Sequence, residues 1–147
     1  MIPLVHIDSN HPPASHGNPV PLLHEVRHAL ARLLDAGEPS CIDLRALPMG
    51  PGDEAVLDRV LGIGEVAASV SVLGKSSVLE TSFPGVWIVT HRNEDDQIVS
   101  RFIEVTYVPK ILASHVPDIQ DGYERLKARL DHPGGDVAMI PPEGVTK

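Results

Sequence analysis

From about residue 66 the hydrophobic pattern switches from a helical repeat to alternation, and it keeps that alternation through four short segments cut by turn signals. Val66, Ala68, Val70 and Val72 alternate with Ala67, Ser69 and Ser71, and Gly74-Lys75 offers a tight turn into Ser76 to Phe83. Pro84-Gly85 suits positions i+1 and i+2 of a type II turn, after which Val86 to His91 reads as a third strand. Asn93-Glu94-Asp95-Asp96 is a polar turn before a fourth, Ile98 to Val108. Strands joined this tightly pair antiparallel, so the segment predicts a four-stranded antiparallel meander, one face of which must be covered.

Helices supply the cover. Pro21 suits a first helical turn, and Leu23, Val26, Leu30, Leu33 and Leu34 recur on one stripe until Gly37. Ser40 to Leu44 is a short strand. Gly50-Pro51-Gly52-Asp53-Glu54 opens a second helix whose first-turn carboxylates face the positive end of its dipole, with Val56, Leu57, Val60 and Leu61 apolar and Gly62 as its stop. A last helix from about Pro117 to Leu130 places Ile119, Tyr123, Leu126 and Leu130 on a face expected to be buried. The fold class is therefore α+β, in the order αβαββββα, with the helices packed on one face of the meander. Residues 1–19 and 133–147 are rich in proline and glycine without apolar period and read as a flexible arm and tail around a single domain, 20–132. Such an arm is expected to be dispensable for folding.

Closing each hairpin on its turn pairs Ser69 with Glu80, Glu80 with Val89, Val89 with Ser100, and Trp87 with Ser82 and Phe102. One face then collects Val66, Ala68, Val70, Val72, Leu79, Phe83, Val86, Ile88, Val99, Ile103 and Val105 and reads as the core side. The other mixes Trp87, Val89, Phe102 and Val78 with Glu80, Glu104, His91 and serines, too polar for a core and too apolar for plain solvent. Arg101 falls on the core face in this register, and a one-residue slip, for instance at a bulge near Pro84-Gly85, would exchange the faces.

Composition narrows the function. Among 147 residues, 12 basic against 20 acidic side chains give a formal net charge of -8, which repels nucleic acid and anionic membrane surfaces. The single cysteine, Cys41, excludes an intramolecular disulfide, a Cys-x-x-Cys pair and an iron–sulfur cluster built by one chain. Its setting beside Ile42 and Leu44 reads as a small buried hydrophobe. The start of the chain has neither the basic flank nor the apolar run of a signal peptide, and the expected compartment is the cytoplasm.

Three blocks carry a family resemblance. Leu57-Asp58-Arg59-Val60-Leu61-Gly62-Ile63-Gly64-Glu65-Val66, then Glu80-Thr81-Ser82-Phe83-Pro84-Gly85-Val86-Trp87, then Ile103-Glu104-Val105 with Val108-Pro109, preceded by Ile42-Asp43-Leu44, Leu47-Pro48 and Pro51, resemble the HupH/HyaF-type hydrogenase expression proteins over about residues 20 to 130. The resemblance implies an accessory protein for nickel–iron hydrogenase maturation that acts on the iron–sulfur small subunit before export, with no catalytic reaction and no bound cofactor. It also implies longer chains with two related copies of this region, where this sequence has one. The chain is thus a single-copy relative or a fragment of a longer protein.

Other candidate sites have plain structural explanations. His24 and His28 stand i, i+4 on the first helix with Asp35 on the same side, a spacing that can hold a metal, but no HExxH pattern joins them, and solvated helix histidines explain them as well. His6, His11 and His16 add adventitious nickel or zinc binding. Gly62-Ile63-Gly64 runs from helix to strand, the reverse of a dinucleotide loop, and reads as a helix stop with a tight connection. Nothing resembles a nucleophile elbow. Glu65 and Glu104 are both expected near the Pro84-Gly85 corner, where paired carboxylates can do acid–base chemistry but strand-end carboxylates are usually solvated.

The expectation is a non-catalytic binding module. Its partners would be the hydrogenase small-subunit precursor and other maturation proteins, met through Glu65, Glu80, Phe83, Pro84, Gly85, Trp87, Val89, Phe102 and Glu104, with Trp87 read as an exposed anchor in preference to a strand tryptophan packed under a helix. No metal or other cofactor is expected. The alternative is a small metal-binding protein or metal-dependent enzyme using His24, His28 and carboxylates. A homodimer is expected as well, through the mixed sheet face or an open edge of the first or last meander strand.

Overall fold

The computed structural model describes residue 17, residues 19–71 and residues 74–132. Two compact units divide them, one running to Pro109 and one from Lys110. The first contains α1 (Pro19–Ala36), β1 (Ser40–Asp43), a 3₁₀ turn (Leu44–Ala46), α2 (Pro51–Leu61), β2 (Ala67–Ser71), β3 (Lys75–Glu80), β4 (Val86–Arg92) and β5 (Ile98–Val105). The second contains a 3₁₀ turn (Lys110–Leu112) and α3 (Val116–Asp131). The class is α+β with the expected element order.

All the strands join one antiparallel sheet in the order β1-β5-β4-β3-β2. The meander is present, and β1 extends it: Ser40 pairs with Val105 and Ile42 with Ile103. The edge of the last meander strand is therefore occupied, and among the described residues β1 and β2 are the sheet's edges. α1 begins at Pro19, two residues before the expected Pro21, and turns Leu22, Val26, Ala29 and Leu33 inward. With Leu57 and Leu61 of α2 these cover Ile42, Val86, Ile88, Ile103 and Val105, the core face of the sheet. Leu34, assigned to the stripe from sequence, points to solvent.

The registers differ from those drawn on minimal turns. Glu80 pairs with Trp87 and Val89 with Phe102, each two residues from expectation, so β3, β4 and β5 keep their faces. Ser82 causes the first offset. Its backbone N–H and its hydroxyl both donate to the Leu61 carbonyl, at 2.8 and 2.6 Å, which withdraws it from the ladder. Val86 N–H still reaches the Phe83 carbonyl with Gly85 at φ 86°, the expected type II turn. The irregularity in the β4–β5 pair lies at His91/Arg92 rather than at the Pro84-Gly85 corner.

β2 is shifted by an odd number. Ser69 opposes Ser77, not Glu80, because Ser71 pairs with Lys75, which places Lys75 in the ladder rather than in a Gly74-Lys75 turn. Ala68 and Val70 therefore share a face with Val78, and Ser69 and Ser71 share the helix side, the reverse of the expected assignment. Val72 lies outside the described residues.

Arg101 does face the core side, and α2 explains it. Its guanidinium donates to Asp58 at 2.6 Å and lies 4.0 Å from Glu54, with its side chain only 16% exposed. The charge sits at the core margin, where α2 supplies two half-exposed carboxylates. Because those acids stay solvated without the arginine, Arg101→Met should change stability by less than about 0.5 kcal/mol, whereas Asp58→Asn removes the nearer partner of a mostly buried cation and should cost about 1 kcal/mol. Urea denaturation of the two variants measures the difference.

Candidate functional site

The blocks that carry the family resemblance are distant in sequence and meet at one end of the sheet. There β3 ends, β4 begins, β5 ends and β2 begins. Gly62 caps α2 at φ 64°, and the Gly64 N–H donates to the Glu80 carbonyl at 2.8 Å. Glu80 N–H returns a bond to Val66, so the loop after α2 is held against the end of β3. A Cβ at Gly64 would stand 2.3 Å from the Thr81 carbonyl oxygen, so only glycine lets the two backbones approach this closely. On the other side, the Thr106 N–H donates to the Gly85 carbonyl and the Trp87 indole N–H to the Thr106 carbonyl, at 2.9 and 3.1 Å. Tyr107 reaches back to the Leu33 carbonyl at the end of α1 with its hydroxyl.

The expected partner residues divide into two groups here. Glu65, Phe83 and Pro84 are exposed, and Glu80, Gly85, Phe102 and Glu104 are half-buried. Trp87 and Val89 are buried, Trp87 at 5% exposure, so Trp87 is a packed strand tryptophan and not the exposed anchor expected. Its indole N–H is satisfied within the chain, as burial of an indole requires. Glu65 and Glu104 do not form a carboxylate pair. Glu104 opposes Trp87 on β5, whereas Glu65 adjoins the start of β2, three strands away and hence about 14 Å.

Reading the sequence singled out Phe83 but missed the other side chains that crown this end. Ile63, between its two glycines, is 93% exposed, and Val66, Phe83, Tyr107, Val108 and Leu34 are exposed as well. One signal was present: an isoleucine in a Gly-Ile-Gly connection has no core position to occupy, so it is either wasted or used. The result is an apolar rim at one end of the sheet, edged by Glu65 and Glu80, the composition of a protein-docking surface.

The remaining candidates resolve separately. Cys41 is exposed on the edge strand β1, correcting the buried reading. Partial burial of the thiol, then the charges of Glu104 and Asp43, push its pKa above the usual cysteine value. His24, His28 and Asp35 are exposed on α1, and among the described residues no three His, Cys, Asp or Glu side chains converge to hold a metal. His6, His11 and His16 lie outside the described residues. Ser76 and His91 form a 2.8 Å hydrogen bond from β3 to β4, a cross-strand tie that no sequence motif signalled. A depression of about 180 Å³ between Pro21, Leu22 and Glu25 of α1 and Leu47, Pro48 and Met49 is open and small for a substrate site. No described helix is long and apolar enough to cross a membrane.

Fold and surface together define a small α+β protein whose distinctive feature is an apolar-rimmed sheet end. The family model for the HupH hydrogenase expression protein, C-terminal conserved region, matches residues 17–132, and the chain belongs to that family. It is 32% identical over 107 residues to the hydrogenase expression/formation protein HoxQ of Azotobacter vinelandii, covering 67% of this chain and 38% of that protein. It is likewise 32% identical over 120 residues to the HupH protein of Rhizobium leguminosarum bv. viciae, covering 80% and 43%. The solved structure of hydrogenase expression protein HupH from Thiobacillus denitrificans superposes with a TM-score of 0.78 at 42% identity, over 80% of this chain and 98% of that one. The chain thus spans about two fifths of the length of the curated relatives it matches.

Two outcomes check this geometry. Gly64→Ala must part the loop from β3 and should lower stability by about 2 kcal/mol or more in urea denaturation. Cys41, held as the thiol, should react with iodoacetamide at pH 8 more slowly than a cysteine in an unstructured peptide, and Glu104→Gln should speed it.

Proposed function

We propose that this chain is an accessory module of hydrogenase maturation that binds the hydrogenase small-subunit precursor, together with other maturation proteins, through the apolar end of its sheet. It does so in the cytoplasm, before export, without catalysing a reaction and without a resident cofactor. The observation that supports this reading is the convergence of the family's blocks on one place where they build a rim of exposed Ile63, Phe83, Tyr107 and Val108. Exposed apolar side chains on a rigid, hydrogen-bonded frame favour association with a partner, because burying them costs little reorganisation. Glu65 and Glu80 at the rim set orientation, and Trp87 and Val89 act from beneath as support. Since the chain spans about two fifths of its curated relatives, the proposal is limited to this docking role.

Binding of purified small-subunit precursor to immobilised protein tests it. Ile63→Asp and Phe83→Asp should each weaken capture at least about tenfold while leaving the fold intact, the size expected of a hot-spot residue. Trp87→Ala should instead destabilise the domain by about 3 kcal/mol, since it empties a buried aromatic site and strips the Thr106 carbonyl of its donor. Unchanged capture by both rim variants contradicts the proposal. Elemental analysis of untagged protein should find metal well below one equivalent, and a tightly held stoichiometric metal would revive the metal-protein alternative.

A further inference from the structure

α3 carries an apolar seam that the sequence reading placed in a core. Val116, Ile119, Tyr123, Leu126 and Leu130 follow one another at spacings of three and four residues, and all are between 57% and 77% exposed. That alternation is the a/d repeat of a helix that packs along another helix, narrower than the stripe of a helix lying on a sheet. We propose that the seam is a dimer interface, occupied by α3 of a second copy of this chain running antiparallel.

Three observations select that occupant and that direction. First, antiparallel alignment stacks Ile119 on Leu130 and Tyr123 on Leu126 of the second copy, and the two-fold axis repeats both layers, so the seam complements itself. Second, the charge on α3 is uneven: its first half carries Asp118 and Asp121 and no base, and its second half carries Arg125, Lys127 and Arg129 beside Glu124 and Asp131. Asp121 and Arg125 already pair within the helix at 3.2 Å. Antiparallel packing sets Asp118 and Glu124 beside Arg129 and Lys127 of the second copy, whereas parallel packing sets like charges together. Third, Gly122 flanks the seam in mid-helix, where glycine weakens a helix, and a Cβ there would meet nothing within 4 Å in the single chain. In the dimer its missing side chain leaves room at the seam's edge for Arg129 of the second copy.

Four large side chains per helix approach the roughly 1,000 Å² that a stable interface requires, so the dimer should be of micromolar rather than nanomolar strength. The proposed contact is thus α3 rather than the mixed sheet face or strand edge expected from sequence.

Light scattering of the full chain over a concentration series should rise to twice the monomer mass at high micromolar concentration. Leu126→Asp should remain monomeric throughout, with Trp87 fluorescence unchanged to show that the fold is kept. Lys127→Glu combined with Arg129→Glu, which leaves the seam intact, should raise the dissociation constant about tenfold. Direction is read by disulfide trapping in a Cys41→Ser background. Ile119→Cys mixed with Leu130→Cys should cross-link, and Ile119→Cys alone should not. A monomer at every concentration, a dimer that survives Leu126→Asp, or cross-linking of Ile119→Cys to itself without the mixed product would each overturn the proposal.

Discussion

The backbone contact between Gly64 and the end of β3 is what the rest of the first unit depends on. A single 2.8 Å hydrogen bond from Gly64 to Glu80 closes the path from helix to sheet, and it exists only because no side chain intervenes at a point where a Cβ would collide with Thr81. Ser82 fastens the same junction from the other direction by donating twice to Leu61. Together these bonds fix α2 over the core face and bring its acids to Arg101. They also set the β3–β4 register, because a serine committed to the helix end cannot continue the ladder. Ile63 is pushed outward by the same closure, so the feature that holds the fold also creates its most exposed apolar side chain.

Much of the fold was legible because it rests on local signals. Pro51 and Gly62 bound α2 at the residues read from sequence, and Pro84-Gly85 makes the turn its chemistry demands. Register was not legible, since it depended on contacts between distant segments. Nothing in the local sequence says that Ser82 leaves the ladder for Leu61, or that Lys75 joins the ladder opposite Ser71. An even offset left β3, β4 and β5 on their correct faces, but the odd offset of β2 reversed that strand. β1 was recognised as a strand without a place, because the pairing of Ser40 with Val105 spans most of the unit and leaves no periodic trace.

The candidate site divides along the same line. Glu80, Phe83, Pro84 and Gly85 could be placed at one end of the sheet because they stand in or beside the turn that the sequence announces. Trp87 was misjudged because alternation assigns a face without saying whether anything covers it, and its hydrogen bond to Thr106 follows from the course of the chain after β5. Tyr107 and Val108 were read as the end of a strand, but β5 stops at Val105 and they become surface. α3 shows the converse limit: its seam is plain in the sequence, yet periodicity does not tell a face buried in the same chain from one open to another.

Site-specific photo-cross-linking tests the docking surface most directly, with a photoreactive residue placed in turn at positions 63, 83 and 69 and the small-subunit precursor supplied as purified protein. Docking at the apolar end of the sheet predicts precursor adducts from positions 63 and 83 and none from position 69 on the edge strand β2. Adducts from position 69 with none from positions 63 and 83 would contradict it.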